Sequence, residues 1–415
     1  MVRALAEVVV AVTSHQAARF VGLISGASLF VVSGVTPCGA QVGLERGMFS
    51  FKSTDYQDWQ PGAKRVDVRS QSVLLRVPFQ VNNPGLHEKT GDWGSASGDW
   101  IFDAQLTSDA ISGASPMYHA QMIRAVVDQR YAQDVRITRV FDTSTITIGR
   151  GVSRESDYFS QAISLSGSFV FDAKHSTVNW AVSHSDDNIQ TLRTGPRRKN
   201  VNDWLVGYTR VWNQQTLAQF SVSGSHGNGY FSDPYKLLDQ RPDFKDSYTA
   251  MLRWYQHLVP LDAISRISYR RYVDSYGVQS HMLNWEWAHF LSVSSQPVNH
   301  EWVLTPSIRL YNQKNANFYI GPTVTKAIPR PPGIDSSTIV SLDQRLSAFG
   351  AMTLGLKLSK RWGPRYDPRQ QIDLRVERYS QDADWFRIAN SATVNQPELP
   401  RFHARWIQLG YTSWF

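Results

Sequence analysis

The sequence predicts an all-β fold, a transmembrane antiparallel up-and-down β-barrel of about 16 strands, within roughly 14 to 18, preceded by a signal peptide. Three observations predict it. Apolar residues recur at a step of two in segment after segment. The connections between those segments alternate between a short class and a long class. The chain also closes on Trp406 to Phe415, an amphipathic strand with an aromatic at its last position. Strand side chains two apart share a face, so Ile407, Leu409, Tyr411 and Phe415 line one side, while Gln408, Gly410 and Thr412 line the other.

Composition agrees with a barrel and excludes other classes. Hydrophobic residues make up 42% and the mean hydropathy is -0.34. That is too polar for a helical membrane protein, whose spans each take about 20 apolar residues. The 14 Trp, 17 Tyr and 19 Phe are an excess suited to two lipid-water interfaces. The formal charge of +8 is spread along the chain. No basic stripe accompanies a nucleic-acid-binding module, so nucleic acid is not an expected partner.

In order along the chain, residues 1–40 read as a cleaved signal peptide. Arg3 and Arg19 precede the uncharged run Phe20 to Val35, and Gly39 and Ala40 supply small residues for signal peptidase. An uncleaved anchor helix and lipid attachment at Cys38 are the alternatives, the latter opposed by Pro37. Cys38 is the only cysteine, so a chain beginning at 41 would have no disulfide, no cysteine-ligated metal and no thiol chemistry. No cofactor is expected. Residues 41–415 read as a single outer-membrane barrel domain with long external loops.

Strands are predicted at 45–59, 66–81, 98–110, 129–141, 143–154, 158–172, 175–187, 200–213, 215–226, 244–258, 261–274, 277–292, 299–312, 342–361, 368–381 and 401–415. The cleanest is Ile372-Asp373-Leu374-Arg375-Val376-Glu377, aliphatic on one face and ionised on the other. Met352, Leu354, Leu356 and Leu358 repeat the pattern, as do Ile163, Leu165 and Phe169 against Ser164, Ser166 and Ser168. If the first strand rises from the periplasm, even strands should be followed by short turns. They are, near Asp142, Ala173-Lys174, Gln214 and Val259-Pro260. Long connections after odd strands fall at 111–128, 186–199, 227–243, 313–341 and 382–400. The stretch 82–97 is long at an even position. It either folds against the periplasmic mouth or signals a miscounted strand.

Function has to be read from the faces. Arg309, Lys357, Asp373, Arg375 and Glu377 fall on inward faces, where they pair with one another or line a water path and bias which ions pass. The loop 313–341, stiffened by Pro329, Pro331 and Pro332, is the expected obstruction, with a plain external loop as the equal alternative. Arg193, Arg197, Arg198 and Lys199 are assigned to an external loop, which either meets lipopolysaccharide phosphates or is simply solvated. The terminal set Ile407, Leu409, Tyr411 and Phe415 reads as a signal for the barrel assembly machinery, as an interfacial anchor, or both. Ser225-His226 with Asn228, His184 near Asp186 and Asp187, and Ser280-His281 are the candidate catalytic sets. Adjacent strand residues face opposite ways, so neither Ser-His pair forms a dyad without a bulge. No metal-ligand spacing stands out. The expected function is therefore a non-enzymatic channel for small polar solutes or ions in the outer membrane of a Gram-negative bacterium. A filled barrel serving as scaffold or export partner is the alternative, and a barrel hydrolase stands third.

Four stretches carry a resemblance. They are Asp109 to Pro116, Ser153 to Tyr158, Gly229 to Lys236 with Arg241-Pro242, and Ser268 to Tyr272 with Asp274, Gly277 and Ser280-His281. Together they resemble a proteobacterial family of outer-membrane barrels known as the domain of unknown function 3570 family. The turn after the fourth stretch reads Val273-Asp274-Ser275-Tyr276, where the family is more acidic. The resemblance implies a barrel in the outer membrane and brings with it no substrate and no catalytic residue.

Overall fold

The computed structural model describes residues 46–79, 100–113, 126–191, 195–234, 239–291, 300–320, 338–364, 368–386 and 400–415. The leader 1–40, the stretch 82–97 and Arg193 lie outside them. The described elements are β1 (Met48–Gln60), β2 (Ala63–Phe79), β3 (Trp100–Gly113), β4 (Val126–Val140), β5 (Ser144–Arg154), β6 (Tyr158–Phe171), β7 (Ser176–Thr191), β8 (Gly195–Asn213) and β9 (Thr216–Gly229). They continue with β10 (Asp239–Gln240), β11 (Phe244–Leu258), β12 (Ala263–Asp274), β13 (Gln279–Leu291), β14 (His300–Gln313), β15 (Val340–Ser341), β16 (Phe349–Trp362), β17 (Gln370–Asp382) and β18 (Phe402–Trp414). Every strand but β10 and β15 belongs to one closed antiparallel barrel in chain order, with β1 hydrogen-bonded to β18. β10 and β15 pair with each other apart from it.

The alternation follows from what each face meets. On β6, Ile163 is 62% exposed while Ser160 is 0% exposed. On β5, Ile148 is 66% exposed and Gly149 points inward against Ser164. A continuous outer belt of exposed Ile, Leu, Val, Phe and Trp is unfavourable in water and favourable in lipid, and closing the sheet removes every unpaired edge. The molecule is therefore a transmembrane barrel. Closure is completed at the inner end, where the Phe415 amide donates to the Gly47 carbonyl at 3.0 Å and the Gly47 amide donates to the Phe415 carbonyl at 2.7 Å. Gly47 has to lack a side chain because the Phe415 ring occupies that space.

The turns use the residues that the chain offers. Pro61-Gly62 joins β1 to β2 with Gly62 at φ 81. Ala173 and Lys174 turn at φ 49 and φ 71. Val259–Leu261 forms a 3-10 turn that ends on Asp262 in the left-handed region. Since β2 pairs with β3 directly, no strand is missing between them, and the miscount alternative for 82–97 falls away.

Two boundaries need correction. The segment 186–199 is not a long loop, because β7 runs to Thr191 and β8 begins at Gly195, so Arg197, Arg198 and Lys199 are strand residues. Above the lipid both faces of a strand can be polar, so the period-two contrast fades while the ladder continues through Ile189 to Arg197 and Asp187 to Lys199. The strand predicted from 342 starts at Phe349. Asp343 ends the extended run by accepting from the Arg345 amide, which caps a 3-10 turn over Gln344–Leu346.

Candidate functional site: a charged lumen beneath a loop strap

The mid-lumen site is set by register. Arg253 on β11 stands opposite Ser268 on β12, which stands opposite Asn284 on β13, then Arg309 on β14. One step lower, Tyr255, Arg266, Glu286 and Ser307 form the next row. Glu286 is the hub. It lies 3.5 Å from Arg266 and 3.4 Å from Arg375, and Arg375 also pairs with Glu377. Asp373 accepts from Gln371 at 2.9 Å, and Gln371 accepts from Arg361 at 3.0 Å. Glycines on neighbouring strands make room: a Cβ at Gly410 would lie 2.6 Å from Asp373, and one at Gly355 3.0 Å from Glu377. The five predicted inward charges are thus on the lumen wall. Asp373, Arg375 and Glu377 are knit into it, while Arg309 and Lys357 form no ion pair among the described residues.

The arc from β3 to β8 differs. Most of its inward carboxylates are claimed locally: Asp103 by Arg76 of β2, Asp109 by Arg130, Asp134 by Arg136 at 2.7 Å, and Asp187 by Lys199 at 3.2 Å. Asp203 accepts from the Ser183 hydroxyl at 3.4 Å and forms no ion pair among the described residues. Between these pairs its inner face is small and hydroxylic, with Thr147, Gly149, Ser164, Ser166 and Ser183.

Over the outer mouth, two loops meet. β10 of the β9–β11 loop pairs with β15 of the β14–β16 loop. Asp343 accepts from Arg241 at 2.7 Å and from Arg345 at 2.7 Å, and Arg345 reaches Asp233 at 2.9 Å. Burial alone would lower the guanidinium of Arg241, but Asp239 and Asp343 overcome it and hold the group above the usual arginine range. An apolar pad of Tyr276, Val278, Ala316, Tyr319 and Leu346 packs beside the cluster. Gln344 then accepts from Gln60 at 3.3 Å, at the outer end of β1, which stands opposite β9 in the barrel order. The described end of the predicted obstruction, 338–341, together with 342–348 that were expected to open a strand, is therefore a strap over the mouth. The proline-rich part lies outside the described residues.

The histidine sets do not assemble into Ser-His pairs. His226 meets Asp246 through Nδ1 and Asn228 through Nε2, on the face opposite Ser225. His281 engages the Tyr269 hydroxyl and Arg271 at 2.6 Å each, and His184 meets Asn202 at 2.8 Å. Of the basic run, Arg197 and Arg198 are exposed, but Lys199 is 5% exposed and faces inward onto Asp187. On β18, Ile407 and Leu409 are exposed to the lipid side and Phe415 closes the barrel seam. At the outer rim the ligand atoms of Asp128, Glu155 and Asp157 lie within 4.8 Å of one another, the described group with the composition to hold a cation.

Sequence reading missed Arg253, Arg266, Arg270 and Glu286. The signal was present in Arg266 and Arg270, which alternate with the lipid-facing Ile267 and Tyr269. It also missed the strap cluster, whose partners Arg241 and Asp343 are far apart in the chain and carry no period.

The DUF3570 model, described as a protein of unknown function, matches residues 120–198 and 193–413. The chain belongs to this family. The DUF3570 barrel gives no match among curated proteins. Among solved structures it is similar to a bacterial polysaccharide outer membrane secretin, with TM-score 0.49, 9% identity, and 89% of this chain and 98% of that chain covered. It is also similar to Pseudomonas aeruginosa OccK9 (OpdG), with TM-score 0.42, 8% identity and coverage of 89% and 98%. For the outer membrane protein OprD from Pseudomonas aeruginosa the TM-score is 0.39, with 10% identity and coverage of 89% and 94%. At such identities and scores these likenesses bear on neither solute nor partner.

Proposed function

We propose that this DUF3570 barrel is a non-enzymatic channel for small polar solutes or ions in the outer membrane of a Gram-negative bacterium, exported through a cleaved signal peptide over 1–40. The observation that carries the reading is the combination of sixteen closed strands with an ionised inner wall. Sixteen strands spaced about 4.8 Å apart and tilted enclose a backbone cylinder roughly 30 Å across, wide enough to hold water beside its side chains. Lipid and lipopolysaccharide surround it, and the aromatic end of β18 is its handle for the barrel assembly machinery. A second reading, a filled barrel that serves as scaffold or export partner, is favoured by the strap over the mouth.

Planar-bilayer recording of the folded mature protein tests the two. The channel predicts steady open steps that scale with salt. Electrical silence from protein that shows the heat-shifted gel mobility of a folded barrel would leave the scaffold reading.

A further inference from the structure

The wall from β11 to β17 holds more positive charge than it can pair. Arg253, Arg266, Arg270, Arg309, Lys357 and Arg375 face Glu286, Asp373 and Glu377, and the first and last of these carboxylates are already engaged by Arg266 and Arg375. Among the described residues, Arg270, Arg309 and Lys357 form no ion pair. The Nε of Arg270 is buried with no hydrogen-bond partner, and so are Nε and Nη1 of Arg266. Lys357 and Arg375 are direct partners across β16 and β17. Like charges directly opposed on one sheet face are destabilising, and buried unpaired donors are costly. The facing arc offers little relief, because Asp103, Asp109, Asp134 and Asp187 are each held by a nearby cation. Asp203, which is held by the Ser183 hydroxyl, stands in a row that runs through Ser225 and Ser247 to Asp274, two steps above Arg270.

An oxyanion satisfies what the protein leaves open. Guanidinium forks fit carboxylate and phosphate oxygens two at a time, and a charged wall in a low-dielectric cylinder concentrates counter-ions. The register sets a spacing as well: Arg270 shares a row with Met282 and Tyr311, one step above the row of Asn284 and Arg309. Lys357 lies two steps below Arg309 on the next strand over, in the row of Thr305, so the three cations descend the wall in sequence. The small hydroxylic face of β5 to β7 leaves room opposite.

We propose that the lumen wall of β11 to β17 binds small oxyanions, taken by Arg270, Arg309 and Lys357, and that the solute which this barrel admits is a carboxylate or phosphate. The proposal rests on the channel reading for transport, but binding is measurable without current.

Two readouts on the folded, full-length mature barrel test it. Calorimetric titration at low salt with succinate and, separately, inorganic phosphate should give saturable binding to the wild type. The variant Arg270→Gln/Arg309→Gln/Lys357→Gln should weaken it at least tenfold. In a salt gradient the wild type should favour anions, and the same variant should move the reversal potential toward zero or to the cation side. Asp134→Asn/Arg136→Gln, which removes a neutral pair from the facing arc, should change neither. Tighter succinate binding marks a carboxylate as the solute, and tighter phosphate binding marks a phosphate. If the triple variant fails to fold, Arg309→Gln and Lys357→Gln singly should each weaken binding. Absence of saturable binding by the wild type, or binding and selectivity unchanged in folded variants, overturns the proposal. Conductance without those effects would leave the channel standing and the oxyanion site refuted, whereas binding without conductance would do the reverse.

Discussion

Lys199 shows how a neighbour decides what a charge does. By composition it belongs to an outer basic run, yet its Nζ sits 3.2 Å from Asp187 and over the rings of Tyr158 and Phe231 at 5.6 Å and 5.5 Å. The Tyr158 hydroxyl donates to the same carboxylate at 2.7 Å. Glu155, in the nearby β5–β6 turn, is the opposite case. Burial drives its carboxyl up, Arg130 pulls it back, and the carboxylates of Asp128 and Asp157 reinforce the rise, leaving it at about 7. The sign follows directly. The opened turn releases its proton near the ordinary 4.5 and the closed turn only near 7, so the stabilising proton is fully in place below 4.5 and is lost as the pH climbs to 7. Closure of this turn should weaken by on the order of 2 kcal/mol across that window. Amide exchange of the 155–157 segment, corrected for its intrinsic pH dependence, should therefore quicken by tenfold or more from pH 5 to 7.5. Glu155→Gln should flatten the profile, and a flat wild-type profile would contradict the assignment.

At the scale of the element, strands and strap differ in how they could be read. All sixteen barrel strands were legible because lipid, lumen and ladder together impose a period of two, and β17 showed it most plainly in Ile372 to Glu377. The alternation of short and long connections was legible in part for the same reason, since each end of the barrel meets a different medium, but the connection expected at 186–199 is strand up to Thr191 and again from Gly195. What could not be read was pairing between distant loops. Nothing local in Asp343 announces that Arg241 and Arg345 converge on it, and the run through β8 lost its contrast as soon as it left the lipid. The strap is also the element with the sharpest single weakness. Asp343 is 1% exposed and serves two guanidiniums, so Asp343→Ala strands both, a loss of roughly 3–5 kcal/mol at a buried pair. The strap should come away from the mouth while the barrel stays folded. Trypsin added outside intact cells should then cut at Arg345, and single-channel conductance should rise at least twofold. Unchanged cleavage and unchanged current would show that the strap neither depends on Asp343 nor limits the path.

At the scale of the whole molecule, one sheet separates two solvents, and neighbouring residues on a single strand report on each. Ile163 and Ser166 lie three residues apart on β6, and the first is 62% exposed on the outer belt while the second shares the inner face with Ser164. Placing Arg at both sites gives a comparison that a water-soluble sandwich and a membrane barrel answer in opposite ways. In lipid, Ile163→Arg should lower the free energy of reversible folding into bilayers by about 2–4 kcal/mol, because the guanidinium must be held near the apolar midplane. Ser166→Arg enters water and should change folding by less than about 1 kcal/mol while narrowing the lumen enough to reduce any current. A protein whose outer face met water would tolerate Ile163→Arg and suffer instead from a charge forced among the closely packed inner residues. Urea titrations of both variants in the same lipid decide between these, and a larger loss for Ser166→Arg than for Ile163→Arg would overturn the assignment of inside and outside on which the channel and its anion wall both depend.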